Sequence, residues 1–301
     1  MRQLRVLLFG RNGQLARELI RLKPPFVDLH SLDRAGCDFS DPRAGFRAIM
    51  AAEAPDLIVN AVGYTAVEKA ETEREVAFRI NCDTVAELAR AAAQRGLPLI
   101  HVSTDYVFDG SKRKPYCESD KARPLNCYGE SKLAGEQAIR ELHGSHVILR
   151  TSWVYSVWSR NFLKTMLELG KERDQLQIVN DQIGTPTSAT RLAQVIYAIA
   201  TRLVHQPPRD YLFGTFHYSD EGATTWFQFA QSIFAFAGSW RGVRATLVPI
   251  TSTEYPGTTK RPMYSVLDCN KIRNSYDISQ EPWEKGVERV IEQLQKLQNG
   301  G

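Results

Sequence analysis

The chain has 301 residues, of which 43% are hydrophobic and 24% charged, and a formal net charge of +4. That is enough apolar material for one α/β domain and a smaller companion, while a small, dispersed positive excess gives no argument for a nucleic-acid partner. No apolar run approaches the length of a membrane span, and the first apolar segment is too short for a signal peptide, so no membrane partner and a cytoplasmic location are expected.

Residues 5–9 form a short apolar run that reads as a buried strand. It leads into Gly10-x-x-Gly13-x-x-Ala16 and then an amphipathic segment through Leu15, Leu19 and Ile20. Strand, glycine turn and helix start make the phosphate-cradling unit of dinucleotide-binding folds. The glycines admit the pyrophosphate to the backbone, and the helix N-terminus favours its charge. A second strand at 27–32 ends in Asp33, where a carboxylate can bind the adenosine ribose. Arg11 and Arg34 stand close enough in sequence to pair instead with a 2′-phosphate. A third strand at 56–63 ends in small residues, a helix runs over 73–95 to Gly96, and further strands follow at 97–103 and 146–154.

Near-continuous apolar strands alternating with helices predict a Rossmann-type α/β fold, a doubly wound parallel sheet covered on both faces. Ligands on such sheets bind at the carboxyl ends of the strands, where Gly10, Asp33, Gly63, Ser103-Thr104 and Trp153 fall. Tyr128 and Lys132 lie four apart, on one face of a helix. A tyrosine beside an ammonium is expected to have its pKa drawn down toward working pH and to serve as a proton donor. His101, inside a predicted strand, reads as a satisfied core histidine. Lys112, Arg113 and Lys114 read as a solvated loop. The cysteines Cys37, Cys82, Cys117, Cys127 and Cys269 lack metal-site spacing and read as reduced thiols.

Beyond residue 155 the pattern loosens. A helix is expected at 161–171, a short strand at 176–180 and a helix at 188–203, with a break at Pro207-Pro208. The segments 214–219, 226–236 and 283–297 then suggest a smaller α/β lobe, with the aromatic run Trp226, Phe227, Phe229, Phe234, Phe236 as its core. The expected organisation is a dinucleotide-binding domain over 1–155, a substrate lobe over 156–301, and a segment near 184–205 packing back onto the first.

The motifs Gly10-x-x-Gly13-Gln14, Val59-Asn60-Ala61, Thr65-Ala66-Val67, Lys69-Ala70-Glu71, Ser103-Thr104-Asp105-Tyr106-Val107-Phe108 and Tyr128-Gly129-x-x-Lys132 resemble the extended short-chain dehydrogenase/reductases. More narrowly, residues 150–155, Asn180-Asp181-Gln182 with Gly184-x-Pro186-Thr187, and Arg261-Pro262 resemble the dTDP-4-dehydrorhamnose reductase family. The resemblance implies NADPH- or NADH-dependent reduction of dTDP-4-dehydro-L-rhamnose, with a dTDP-sugar as substrate. It sets Gly10, Gly13, Gln14 and Leu15 under the pyrophosphate, Asp33, Asp38 and Phe39 at the adenosine end, and Gly63, Tyr64, Thr65 and Val102 along the cofactor. By the same resemblance Tyr128 is the proton donor, Lys132 holds the nicotinamide ribose, and Thr104 and Asp105 meet the substrate. Trp153 offers the sugar an apolar wall, Asn180-Asp181-Gln182 lies on the substrate side, and Arg261 faces the diphosphate. In some members Mg2+ bridges subunits through glutamates. Glu18 matches one, but Thr190 stands where another falls, which argues against a metal-bridged homodimer here. Two other readings stay open: a nucleotide-sugar epimerase or dehydratase with the same Tyr-Lys pair, and a non-catalytic, partner-binding subunit. Against a dehydratase, Tyr106 follows Asp105 where a glutamate would be expected.

Overall fold

The computed structural model describes residues 3–207, 209–238 and 240–299, so Pro208 of the expected break lies outside them. The N-terminal part runs β1 (Leu4–Phe9), α1 (Gln14–Arg21), β2 (Val27–Leu32), α2 (Ala44–Ala51), β3 (Leu57–Asn60) and α3 (Val67–Ala70). Next come α4 (Arg74–Phe78) and α5 (Thr84–Gln94), joined by a π turn at Arg79–Asp83, then β4 (Leu99–Thr104), α6 (Cys127–Leu142) and β5 (His146–Thr151). The remainder is β6 (Val154–Tyr155), α7 (Phe162–Glu172), β7 (Gln175–Val179), β8 (Ile183–Gly184), β9 (Thr187–Ser188), α8 (Ala189–His205) and β10 (Gly214–His217). It closes with β11 (Thr224–Thr225), α9 (Trp226–Ala237), β12 (Thr246–Ile250), α10 (Asn270–Tyr276) and α11 (Trp283–Asn299).

The central sheet has the order β2-β1-β3-β4-β5-β10 and every pairing in it is parallel. The apolar run of β1 explains its place. Leu4, Val6 and Leu8 enter one core and Leu7 and Phe9 the other, as a two-residue period requires when both faces are covered. The same split recurs at Leu57/Val59 against Ile58 and at Val147/Leu149 against Ile148. Each such side chain contributes about 1.5–3 kcal/mol relative to exposure. The chain leaves β1 toward β2 and returns to β1's other side as β3, so a crevice opens between the ends of β1 and β3.

A third core gathers Leu163, Leu167, Phe229, Ile233, Trp283 and Val287 from α7, α9 and α11. Thr225 and Gln228 form a capping box that starts α9. Of the expected aromatic run, Phe229 is fully buried, whereas Phe236 is 37% exposed and does not belong to the core. Helix α8 packs on the first core, with Tyr197 Oη donating to Leu19 O at 2.6 Å. Besides the helix expected over 73–95, which the π turn divides into α4 and α5, two elements depart from the sequence reading. The strand expected in the small lobe at 214–219 is instead β10, the sixth strand of the main sheet, beside β5. The open edge of β5 accepts it, and a local pattern carries no information about which edge a strand will join. The strand expected over 146–154 stops at Thr151, and Trp153 turns back with φ +46°. Among the described residues no helix is long and apolar enough to cross a membrane.

Candidate active site

Two cavities meet along the carboxyl ends of the parallel strands. The first, about 400 Å³, is bounded by Gly10, Gly13, Asp33, Asp38, Phe39, Gly63, Tyr64 and Thr65. Gly10 has φ +104°, and a Cβ there would sit 3.1 Å from the Ala61 carbonyl carbon, so only glycine lets β1 turn this close to the end of β3. Helix α1 begins at Gly13 with no side-chain cap and no acidic residue in its first turn, leaving its N–H groups open toward this space. Uncapped donors beside a glycine turn suit a dinucleotide pyrophosphate. At the adenosine end Asp33 Oδ1 accepts from Gly36 N–H at 3.1 Å, while Arg34 pairs with Asp38 at 3.2 Å rather than with Asp33.

The second cavity, about 600 Å³, reaches from Gly13, Gln14 and Leu15 past Val102, Thr104 and Asp105 to Tyr128, Lys132, Trp153 and Arg261. Ala61, Val62, Gly63 and Thr65 wall both spaces. Tyr128 and Lys132 come from the first two turns of α6, which Asn126 caps by accepting from Gly129 N–H at 2.8 Å. The helix lies close against the π turn, since a Cβ on Gly135 would fall 2.0 Å from Asn81 O. Its rotation is fixed by Glu136, buried with Arg150 of β5, which donates from Nε and NH2 at 2.9 and 2.6 Å. Ser103 and Arg140 also donate to Glu136, so the buried carboxylate is held below its ordinary value despite desolvation, chiefly by Arg150.

The electrostatics of the pair differ from the sequence expectation. Lys132 Nζ donates to Val102 O at 2.8 Å and lies 3.2 Å from His101 Nε2. Burial pushes the Tyr128 phenol above its ordinary value, and a hydrogen bond with Thr104 offsets this only in part. Desolvation outweighs any pull from the ammonium, and it pushes Lys132 itself down to about 8. Asp105 is buried and pushed up to about 7 by desolvation. One of its oxygens meets Thr104 Oγ1 at 3.2 Å, and the other, Oδ2, has no partner. The Ser265 hydroxyl nearby offsets part of that rise, and Asp105 lines the second cavity.

On the far wall Trp153 stacks on Trp226 with ring centroids 3.5 Å apart and an interplanar angle of 11°. A Cβ on Gly184 would strike the Trp153 ring at 2.6 Å. Arg261 lines the cavity but is engaged, donating to Glu68 Oε1 at 2.8 Å. Asn180 and Asp181, expected on the substrate side, are engaged in hydrogen bonds to other segments, Asn180 exposed and Asp181 half-buried. Asn180 accepts from Thr225 Oγ1 at 2.7 Å, and Asp181 takes Ser252 N–H at 2.9 Å. Neither they nor Gln182 line the cavity. Glu18, the residue matched to a metal ligand, is fully buried and accepts from Trp158 Nε1 at 2.6 Å, Thr190 Oγ1 at 2.9 Å and Arg21 NH2 at 2.6 Å. Among the described residues no group of three or more His, Cys, Asp or Glu could hold a metal ion.

Several contributors were missed in the sequence. Asn81, fully buried within the π turn, accepts Tyr64 N–H at 2.8 Å and donates to Ser131 Oγ at 2.9 Å, pinning the turn after β3. A π turn inside a predicted helix is a known mark of functional sites, but nothing in the sequence announces it. Arg160, Asn161 and Phe162 line the second cavity. Gln14 reaches that segment, accepting from Asn161 Nδ2 at 2.9 Å and Ser156 Oγ at 3.0 Å.

A doubly wound parallel sheet, a glycine turn under an uncapped helix and a Tyr-x-x-x-Lys pair beside a threonine define a dinucleotide-binding α/β protein with acid–base groups at its strand ends. Comparison with known proteins narrows this. The sequence matches the RmlD substrate binding domain over residues 4–296, and the chain belongs to that family. It is 41% identical over 288 residues to the dTDP-4-dehydrorhamnose reductase of Sinorhizobium fredii, covering 96% of this chain and 97% of that one. The Escherichia coli K12 protein of the same name is 41% identical over 297 residues, with the same coverage. Among solved structures, the dTDP-4-dehydrorhamnose reductase of Bacillus anthracis in complex with NADP superimposes with a TM-score of 0.88 at 35% identity, covering 97% of this chain and 100% of that one.

Proposed function

We propose that this chain reduces the 4-keto group of dTDP-4-dehydro-L-rhamnose to dTDP-L-rhamnose with NADPH or NADH, in the cytoplasm, as the last step in making that activated sugar. The observation that carries the reading is the convergence of Thr104, Tyr128 and Lys132 on one cavity that runs from the glycine turn to the Trp153 wall. Its support is the near full-length likeness to reductases of that name.

Bound along the strand ends, the dinucleotide would supply the hydride. The remaining work falls to the side chains. Tyr128 and Thr104 hydroxyls hold the keto oxygen, and Tyr128 releases its proton to that oxygen as the alkoxide forms. A phenol raised by burial stays protonated at neutral pH, as a donor in the reducing direction must. Lys132 reaches the cofactor ribose from behind the tyrosine, and Asp105 Oδ2 takes a sugar hydroxyl. Trp153, with its second face covered by Trp226, gives the deoxysugar an apolar wall. A dehydratase is disfavoured because Asp105 is the one carboxylate among the residues lining this cavity. NADPH oxidation followed against a panel of dTDP-4-keto-hexoses tests the reading. Stoichiometric consumption supports a reductase, product without net consumption an epimerase, and no turnover a non-catalytic subunit.

A further inference from the structure

His101 is fully buried in β4, behind the cavity rather than in it. Its Nδ1 lies 3.0 Å from Asn60 Nδ2, and its Nε2 lies 3.2 Å from Lys132 Nζ. A neutral imidazole has one N–H and one lone pair, so the two contacts cannot both be of one kind. Asn60 Oδ1 already takes Val62 N–H at 3.0 Å. The amide nitrogen, a donor only, therefore faces Nδ1, which must carry the lone pair. The ring hydrogen is then on Nε2 and points at Lys132.

An amine at Nζ satisfies this arrangement fully. Its lone pair accepts from Nε2–H, one hydrogen goes to Val102 O at 2.8 Å, and one remains for the cavity. An ammonium has no lone pair to offer. Gaining that proton obliges the ring to exchange tautomer, which sets Nδ1–H against the Asn60 amide. Asn60 can answer only by turning over and releasing Val62 N–H, and Val62 walls both cavities beside Gly63.

We propose that His101 is a positioning residue for Lys132, whose tautomer ties the charge on the lysine nitrogen to the hydrogen bond holding the turn at residues 62–63. The inference rests on the reading of Lys132 as half of the catalytic pair. The surroundings leave His101 in that role. On α6, Glu136 favours the ammonium but is bonded to Arg150, Arg140 and Ser103. On β5, His146 opposes charge on His101, and burial holds His101 well below its ordinary value, so a histidinium is excluded. Asn60 from β3 and Asn81 from the π turn are neutral, Tyr128 stays protonated, and Asp105 faces Tyr128 and Thr104.

The test is a titration of the full chain without cofactor, with lysines labelled at 13Cε and Lys132 assigned by its loss in Lys132→Met. In His101→Gln the amide can turn its oxygen to Nζ permanently, and the Lys132 midpoint should rise by about one pH unit. His101→Leu removes the Nε2–H that holds the amine together with any acceptor for the ammonium, so its midpoint should rise less than that of His101→Gln. An unmoved midpoint in His101→Gln, or a larger rise in His101→Leu, overturns the proposal. Should either variant fail to fold, 15N-histidine spectra of the wild type decide. The Nε2–H form of His101 above the Lys132 midpoint, giving way to Nδ1–H below it, supports the coupling, and one tautomer throughout overturns it. The expected order of midpoints in a chain that never oxidises NADPH would keep the coupling and remove the catalytic reading. Turnover with unmoved titrations would remove the coupling alone.

Discussion

The two adjoining cavities are built in different ways. The one beside Asp33 is made by residues 10–80, with Gly10, Gly13, Ala61, Gly63 and Ala66 at the strand ends and Asp33, Arg34, Asp38, Phe39 and Tyr64 around them. The one beside Tyr128 draws on segments from Gly13 to Arg261, and side chains do most of its lining. Backbone donors at a strand–helix turn bind any pyrophosphate, so the first needs only local geometry. A particular sugar has to be read by side chains, which arrive from separate crossovers. The first cavity should therefore tolerate side-chain changes that the second does not.

The sharpest test of that contrast is Tyr128→Phe. Removing the positioned acid should lower kcat by about 10²–10⁴-fold while NADPH affinity changes little. Near wild-type turnover would end the assigned role, and a large loss of cofactor affinity would show that the two cavities are not separable. Next in size is Arg261→Ala, followed by steady-state kinetics. KM for the dTDP-sugar should rise by roughly 10–100-fold with a smaller change in kcat, because a diphosphate contact acts alike in ground and transition states. The variant also frees the Glu68 carboxylate at the rim, so Glu68→Gln in the same background should recover part of the loss. An unchanged KM removes Arg261 from the site.

Asp105 gives a smaller effect with a definite sign. Burial raises it from its ordinary 3.8 to about 7, so the folded chain binds that proton more tightly than the unfolded chain. The stability it contributes is full below about pH 4 and is lost as pH rises through about 7. Asp105→Asn has no such step, and urea unfolding should find it roughly 1–3 kcal/mol more stable than wild type at pH 8, with the advantage shrinking toward pH 4. A benefit larger at low pH would contradict the assignment. The smallest effect is expected on the backbone-built side. The Arg34–Asp38 pair is exposed, 80% and 41% by side chain, and such pairs are worth about 1 kcal/mol or less. NADH and NADPH should serve with kcat/KM values within roughly tenfold, and Arg34→Ala should shift the ratio by less than that. Added salt should weaken NADPH binding more than NADH binding. A preference beyond a hundredfold would show a fixed side chain governing the adenosine end after all.

The sequence by itself determined the strands β1 to β5, the glycine turn, and Tyr128 with Lys132 on one helix face. Each depends on interactions within a few residues: a two-residue period, a left-handed glycine, an i,i+4 pair. It also marked Thr104, Asp105 and Trp153 by motif, and all three line the sugar-side cavity. Tertiary structure alone decided the rest. That β10 joins β5, that Trp226 covers Trp153, and that Asn180 and Asp181 bond to Thr225 and Ser252 are pairings between distant segments, which no local pattern encodes. The same holds for charge. Neighbours in sequence suggested that Lys132 would lower the Tyr128 pKa, but burial supplied by elements from across the chain raises it and turns Nζ toward His101 and Val102. Desolvation depends on everything that surrounds a group, so it becomes definite only once the whole chain has folded.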